Sequence, residues 1–212
     1  MNCLQRIFEL EGRVTTLSNQ LARAQAEIRV LRGQTGRSAV GLIAAIIFGG
    51  SIAAMAAVPF QPYLESIAGN RWPDRAAQLR AESGFNPRAV SPVGARGLAQ
   101  FMPKTWTWAQ GLGWVSATDS PEDPEAAIRA NHAYMMWLEV RCAGRWDRAL
   151  GSYNAGLLSV QRALRHAEAT GLSGSDSWLR ALPAITGHHA AETQGYVARC
   201  ARYRDEYRKV AQ

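Results

Sequence analysis

The sequence predicts a mostly α-helical protein in which one globular domain follows two non-globular segments. Three observations predict this organisation. Residues 1–37 carry apolar side chains at heptad spacing, residues 38–60 are largely apolar and uncharged, and residues 61–212 show helical periodicity without alternating strands. We therefore expect a coiled-coil helix, then a membrane-spanning or membrane-inserting segment, and then the domain.

The first segment has the a/d seam of a coiled coil. A helix of this length is marginal in water when isolated, so we expect it to pair with further copies of the chain. The alternative is a single amphipathic helix lying on the domain or on a membrane surface. The seam alternates spacings of four and three without a slip, through Cys3, Ile7, Leu10, Val14, Leu17, Leu21, Ala24, Ile28 and Leu31.

The second segment is predicted to be a membrane anchor. Residues 39–60 hold no charge and match the roughly 20 residues that a membrane span needs. Arginines precede this run, and no charge follows it until Glu65, so the positive-inside rule places the N-terminus in the cytoplasm and the domain in the periplasm. A cleaved signal peptide and a buried core helix are the alternatives.

Small residues in the same segment recur at every fourth position, which lets membrane helices approach closely. Together with the heptads, this ladder predicts a homo-oligomer formed through residues 1–60. The ladder consists of Gly41, Ala45, Gly49, Ala53 and Ala57.

The charge of the chain is positive but dispersed. The formal net charge is +7, carried by scattered arginines, since lysine occurs only at Lys104 and Lys209. Such a surface suits an acidic polymer or anionic lipid. Without a run of basic residues, we do not expect nucleic-acid binding.

The sequence predicts neither a cofactor nor a metal site. Cys3, Cys142 and Cys200 have no zinc-like spacing, and the histidines at residues 188–189 lack a third ligand. If the domain lies in an oxidising compartment, Cys142 and Cys200 could form a disulfide. Two buried free thiols are the alternative.

Five stretches of the domain predict helices. The first two begin with proline and an acidic residue, as the first turn of a helix commonly does. The five stretches are residues 73–82, 124–143, 147–154, 157–170 and 190–210.

A single carboxylate, Glu82, lies in a segment rich in glycine, proline, hydroxyl and amide residues, and the next acidic residue is Asp119. Glu82 ends a predicted helix just before Gly84, a position that can direct a carboxyl group into a cleft. A desolvated glutamic acid can keep its proton near neutral pH and protonate a leaving oxygen. Considered alone, a glutamate at a helix end also fits a solvated surface charge.

Four motifs in order resemble the lytic transglycosylase domains of the SLT type, in the lysozyme-like superfamily. They are ESGFNPRAVSPVGARGLAQFMPKTW from Glu82, DP at 123–124, SYNAG at 152–156 and ETQGYV at 192–197. The resemblance covers most of the chain after residue 73 and neither N-terminal segment. Ser152 and the GLLSV stretch at 156–160 depart from the family pattern, which puts the shape of the glycan groove there in doubt.

The resemblance implies a lyase that degrades peptidoglycan by cleaving MurNAc–GlcNAc bonds. Glu82 would act first as acid and then as base, while the N-acetyl group of the sugar assists and its 6-hydroxyl closes a 1,6-anhydro ring. No second carboxylate is then required. The implied substrate-binding residues are Ser91 and Gln100 as hydrogen-bonding groups, Met102 against the sugar, Tyr153 and Asn154 around the acetamido group and Glu82, and Glu192 as a binding or supporting carboxylate.

Several neighbouring residues carry weaker expectations. Gly94, Gly97 and Pro103 fit structural positions that let the loop pass close to the cleft. Trp106 or Trp108, directly after the long motif, are the best candidates for the groove, whereas the other tryptophans fit the core.

Three functions compete at this level. The first is a membrane-tethered transglycosylase that acts in phage lysis or entry, or opens the wall locally for an envelope-spanning machine. The second is a virion ejection or conduit protein with subsidiary wall cleavage, and the third is an inactive glycan-binding module. The presence of Glu82, Ser91, Gln100 and Asn154 together argues against the third.

Overall fold

A computed structural model describes residues 58–211, and this part of the chain is α-helical as predicted. Short 3₁₀ turns at Gly69–Arg71 and Gly187–His189 precede the second and last α-helices. The α-helices are α1 (Gln61–Ala68), α2 (Trp72–Ser83), α3 (Pro103–Gly111), α4 (Pro124–Arg141), α5 (Trp146–Ala155), α6 (Leu157–Ala169), α7 (Ser177–Ala181), α8 (Pro183–Thr186) and α9 (Ala190–Val210).

All five predicted helices are confirmed, as α2, α4, α5, α6 and α9, and their ends follow local chemistry. Gly84 ends α2 in the left-handed conformation, with φ of 62°. Asp123 caps α4, because its carboxylate accepts a hydrogen bond of 2.8 Å from the Ala126 amide. Helices α1, α3, α7 and α8 were not predicted, and two of these have only five and four residues.

The predicted coiled coil at 1–37 and most of the predicted membrane segment at 38–60 lie outside the described residues. Within residues 58–211, no helix is both long and apolar enough to cross a bilayer. Val58, near the end of the predicted membrane segment, is 8% exposed and packs in the core of the domain.

In the described part of the chain, the buried apolar side chains form two clusters. One lies around α1 to α4 and includes Leu79, Leu98 and Phe101, and the other lies around α4 to α9 and includes Leu150 and Trp178. Helix α9 packs along α2 and also contacts α5. This packing places the C-terminal end of α2 beside α9, and the site is built there.

A buried ion network fixes the beginning of α2. Arg75 is 1% exposed and donates a hydrogen bond of 3.0 Å to Glu139 of α4, which also pairs with Arg71. Asp74 accepts from Arg71 at 2.9 Å and from Arg208 of α9 at 3.2 Å. The network thus joins α2, α4 and α9, and removing one charge from such a buried network is destabilising because its partners stay buried.

Candidate active site

Glu82 lies in the last turn of α2, where two contacts hold it. The neighbouring Ser83 hydroxyl donates to the Leu98 carbonyl oxygen at 2.7 Å, which ties the helix end to the loop that follows. The hydroxyl of Tyr196, a buried residue of α9, donates to Glu82 Oε1 at 2.5 Å. The Glu82 side chain is therefore positioned from both α2 and α9 while part of the residue stays exposed.

The surroundings of Glu82 favour its protonated form. Burial raises the pKa of Glu82 from its ordinary value of 4.5 to about 7. The hydrogen bond from Tyr196 and the positive charge of Arg199 oppose this rise, whereas the negative charge of Glu192 adds to it. A carboxyl group with this pKa can both donate and accept a proton near neutral pH.

Residues 84–102 form the motif loop, and two contacts of Gly97 shape it. The Gly97 amide donates to the Ala89 carbonyl oxygen at 2.8 Å. Gly97 has φ of 76°, and a Cβ atom there would lie 1.7 Å from the Pro121 carbonyl oxygen. Only glycine fits this approach to the segment before α4, whereas the predicted passage of the loop close to the cleft stays a prediction.

Two predicted substrate-binding residues hold the motif loop in this structure. Ser91 Oγ accepts a hydrogen bond of 2.9 Å from the Ala95 amide. Gln100 has φ of 50°, and its Nε2 donates to the carbonyl oxygens of Gly97 at 3.0 Å and Ala89 at 3.2 Å. Their hydrogen bonds to a sugar remain predictions, but these contacts give both residues fixed positions.

Met102 and Tyr153 both lie at the end of the motif loop. Met102 is 42% exposed at the N-cap of α3, so its side chain is free to contact a ligand. The Tyr153 hydroxyl donates to the Ala99 carbonyl oxygen at 2.7 Å. Burial, together with the nearby charge of Glu82, raises the pKa of Tyr153 well above its ordinary value of 10.0, so the phenol stays neutral.

Asn154 and Glu192 approach the site from α5 and α9. Asn154 is exposed in the last turn of α5, and its Oδ1 accepts a hydrogen bond of 2.6 Å from Thr193. Glu192 is exposed in the first turn of α9, close enough for its charge to raise the pKa of Glu82. The structure therefore brings Tyr153 and Glu192 into the electrostatic neighbourhood of Glu82, and Asn154 beside the start of α9.

Tyr196 is the residue of the candidate site that the sequence interpretation missed. The ETQGYV motif contains it, but the sequence alone gave it no role. Tyr196 follows Glu192 by four positions on a predicted helix, which places both on one face. That spacing was the available signal, whereas the contact with Glu82 spans 114 positions of the chain.

The two cysteines of the domain are buried free thiols rather than a disulfide. Cys142 Sγ lies 3.5 Å from Ser152 Oγ, and burial together with the charge of Glu82 raises the pKa of Cys200 to about 12. Among residues 58–211, no group of histidine, cysteine and acidic side chains is arranged to hold a metal ion.

Residues 72–173 match the family model described as Transglycosylase SLT domain. The chain is 31% identical over 135 residues to the soluble lytic murein transglycosylase of Escherichia coli K12, covering 62% of this chain and 20% of the relative. It is 32% identical over 127 residues to the membrane-bound lytic murein transglycosylase F of Haemophilus influenzae PittGG, covering 57% and 25%. The chain thus spans a quarter or less of the length of these curated relatives.

Solved structures agree with the sequence relatives. The 70 kDa soluble lytic transglycosylase of Escherichia coli superposes with a TM-score of 0.62 at 26% identity, covering 73% of this chain and 25% of that one. The complex of the 70 kDa soluble lytic transglycosylase with bulgecin A gives 0.63 at 26% identity with the same coverage. Residues 72–173 therefore match the transglycosylase SLT model, and the described helices agree with the fold of these solved structures.

Proposed function

From the transglycosylase SLT domain at residues 72–173, we propose that this chain is a peptidoglycan lytic transglycosylase with Glu82 as its acid and base. The observation that carries the proposal is the Glu82 carboxyl, whose pKa of about 7 results from burial and whose position is held by Tyr196. The similar proteins named as lytic murein transglycosylases support the substrate class.

In the first step, the protonated Glu82 carboxyl donates its proton to the oxygen that links MurNAc to GlcNAc. The bond between that oxygen and C1 of MurNAc breaks, and positive charge develops on the sugar ring. The acetamido oxygen of the same MurNAc shares this charge at C1. Hydrogen bonds must hold the acetamido group in position for its oxygen to approach C1. In the proposal, Tyr153 and Asn154 make these hydrogen bonds.

In the second step, the Glu82 carboxylate removes the proton from the 6-hydroxyl of MurNAc. Oxygen O6 then attacks C1, which releases the acetamido group and closes the 1,6-anhydro ring. Glu82 is thereby reprotonated, and the reaction requires neither water nor a second catalytic carboxylate. Tyr196 stabilises the ionised intermediate form of Glu82, because its hydroxyl donates to the carboxylate oxygen.

The remaining predicted residues have binding roles in this proposal. Met102, whose side chain is exposed at the edge of the motif loop, packs against the sugar at the cleavage site. Ser91 and Gln100 present polar atoms from fixed loop positions. Glu192 keeps its charge near Glu82 and so favours the protonated acid.

The test is the product of the reaction. Purified peptidoglycan digested with the chain should release muropeptides with 1,6-anhydroMurNAc ends, as identified by mass spectrometry. Glu82→Gln should abolish release while keeping the fold, because the amide has similar size but cannot donate the proton. Glu168→Gln, which removes an exposed carboxylate on α6, is the matched control and should leave release unchanged. Reducing MurNAc ends would instead identify a hydrolase, with Glu192 as the nearest candidate for a second carboxylate.

We further propose that residues 1–60 tether the enzyme to the cytoplasmic membrane as a homo-oligomer, with the domain on the periplasmic side. The heptads and the apolar segment support this proposal. In detergent, the mass of the full chain measured by light scattering should fall to that of one copy when Leu17 and Leu21 are changed to Glu. An oligomer that persists in that variant would contradict assembly through the coiled coil.

This proposal has two forms, which differ in the biological setting of the enzyme. A phage lysis enzyme or a bacterial wall-opening enzyme should be found in the host membrane fraction. A virion ejection protein should instead be recovered from purified particles. Quantitative mass spectrometry of both fractions decides between them.

A further inference from the structure

A stripe of aromatic rings leads away from the candidate site. We define it by Tyr153, Tyr134, Trp108 and Trp137. The ring centroids of Tyr153 and Tyr134 lie 5.2 Å apart, and Tyr134 lies 5.6 Å from Trp108. Trp108 in turn lies 5.2 Å from Trp137. Because Tyr153 also bonds to the motif loop, the stripe is continuous with the site.

Trp108 differs from the other tryptophan that the sequence favoured for the groove. Trp106 is 6% exposed, and its indole nitrogen donates to the Asp119 carbonyl oxygen at 3.3 Å, so it belongs to the core. Trp108 is 37% exposed. The Trp108 ring makes edge-to-face contacts, at centroid distances of 4.9 to 5.6 Å, with the rings of Trp114, Tyr134 and Trp137. These rings hold Trp108 in place and leave part of it open to solvent.

A positive charge lies at the same end of the stripe. The guanidinium carbon of Arg141 is 3.6 Å from the centre of the Trp137 ring, and the side chain is exposed. It also donates to the Trp137 carbonyl oxygen at 3.2 Å. Among the residues that the structure describes, no carboxylate forms an ion pair with Arg141. Its charge is therefore available to an external anion.

We propose that Trp108 and Arg141 form an accessory site for the glycan strand, beyond the sugars at the cleavage point. The exposed indole of Trp108 stacks on a pyranose ring, and Arg141 pairs with a carboxylate of the stem peptide attached to a neighbouring MurNAc. This inference rests on the proposed function. The proposed substrate is a linear polymer of alternating sugars with acidic stem peptides, so a strand bound at Tyr153 continues along the stripe to Arg141. The accessory site increases the affinity for long strands and takes no part in the chemical step.

The test uses the full chain in detergent with stem-bearing GlcNAc–MurNAc fragments of increasing length, from four to ten sugars. For the unaltered chain, KM should fall once a fragment is long enough to extend from the cleavage point to Trp108. Trp108→Leu should remove that fall and raise KM for longer fragments about tenfold, the size of change expected from truncating an anchoring aromatic residue. Its kcat should stay within about twofold, and Trp108→Phe should restore most of the affinity.

Arg141→Gln should weaken the binding only of fragments that carry stem peptides. Leu112→Ala, at the exposed C-cap residue of α3, is the matched control. A fluorine NMR experiment covers the case in which Trp108→Leu does not fold. In the Glu82→Gln chain labelled with fluorotryptophan, long fragments should shift the Trp108 resonance and four-sugar fragments should not.

The outcomes separate this inference from the proposed function. A chain that cleaves no fragment would refute the proposed function. A chain that cleaves all fragments with a KM independent of length, or whose length dependence survives in Trp108→Leu, would overturn the accessory site alone.

Discussion

Replacing Glu82 by Gln should make the domain more stable at neutral pH while abolishing its activity. The folded domain raises the pKa of Glu82, so folding favours the neutral carboxyl group. Below the unfolded pKa both states are protonated, and Glu82 adds no pH-dependent cost. As the pH rises from the unfolded pKa to the folded pKa, the carboxyl group ionises in the unfolded state while it stays protonated in the folded state, so the folded state loses stability until the pH reaches the folded pKa. Glutamine stays neutral throughout and avoids this cost.

The magnitude follows from the shift of the pKa from 4.5 to about 7. Each pKa unit corresponds to about 1.4 kcal/mol of free energy, so the full effect is about 3 kcal/mol. This is a large part of the roughly 5–15 kcal/mol that stabilises a typical domain. The difference in unfolding free energy between Glu82→Gln and the unaltered chain should grow by this amount between pH 4 and pH 8.

Urea unfolding followed by tryptophan fluorescence measures this difference in the full chain. All seven tryptophans lie between residues 72 and 178, so the signal reports on the domain even when residues 1–60 are present. With a urea dependence of roughly 1–3 kcal/mol per molar, the midpoints of the two chains should separate by about 1–3 M at pH 8. At pH 4 they should nearly coincide. Glu168→Gln serves as the control for the loss of an exposed charge.

A constant difference between the two chains at pH 4 and pH 8 would refute the reasoning. It would mean that the Glu82 carboxyl ionises with equal ease in the folded and unfolded states. A Glu82→Gln chain that is less stable at pH 8 would show that the carboxylate is favoured by its surroundings, contrary to the dominant effect of burial.

Three further predictions concern residues around the site. Tyr196→Phe removes the hydrogen bond that lowers the pKa of Glu82, so the alkaline limb of the kcat/KM profile should move to higher pH, and an unchanged limb would contradict the coupling. Gly97→Ala should destabilise the domain by more than about 1 kcal/mol in thermal unfolding, since the Cβ atom of the alanine would meet the Pro121 carbonyl oxygen. Unaltered stability would argue against that close approach. Asp123→Ala removes the N-cap of α4 and should cost about 1 kcal/mol in urea unfolding without altering kcat, whereas a large loss of kcat would assign it another role.

The helices could be predicted from the sequence where local chemistry determines them. Proline followed by Asp74 begins α2 and Gly84 ends it, while Asp123 marks the start of α4, and none of these signals depends on distant residues. The five-residue α7 and four-residue α8 escaped prediction because so few residues show no periodicity.

The candidate site could be predicted only in part. Motif residues such as Glu82 carried the resemblance, so their positions could be proposed from the sequence. The contact from Tyr196 joins residues 114 positions apart and depends on the packing of α9 along α2. The exposure of Trp108 and the burial of Trp106 likewise depend on which neighbours surround each ring, and helical spacing does not fix this. The residues proposed to perform the chemistry were thus easier to predict than Tyr196, whose hydrogen bond affects the pKa of Glu82.

The placement of Tyr196 on the last helix has a consequence for the growing polypeptide. Glu82 leaves the ribosome 114 residues before Tyr196, which at about 5–20 residues per second is a delay of roughly 6–23 s. Until α9 folds against α2, Glu82 lacks the burial that raises its pKa and is an ordinary carboxylate, ionised at neutral pH. The proposed acid therefore acquires its raised pKa only after α9 has been synthesised and has packed along α2.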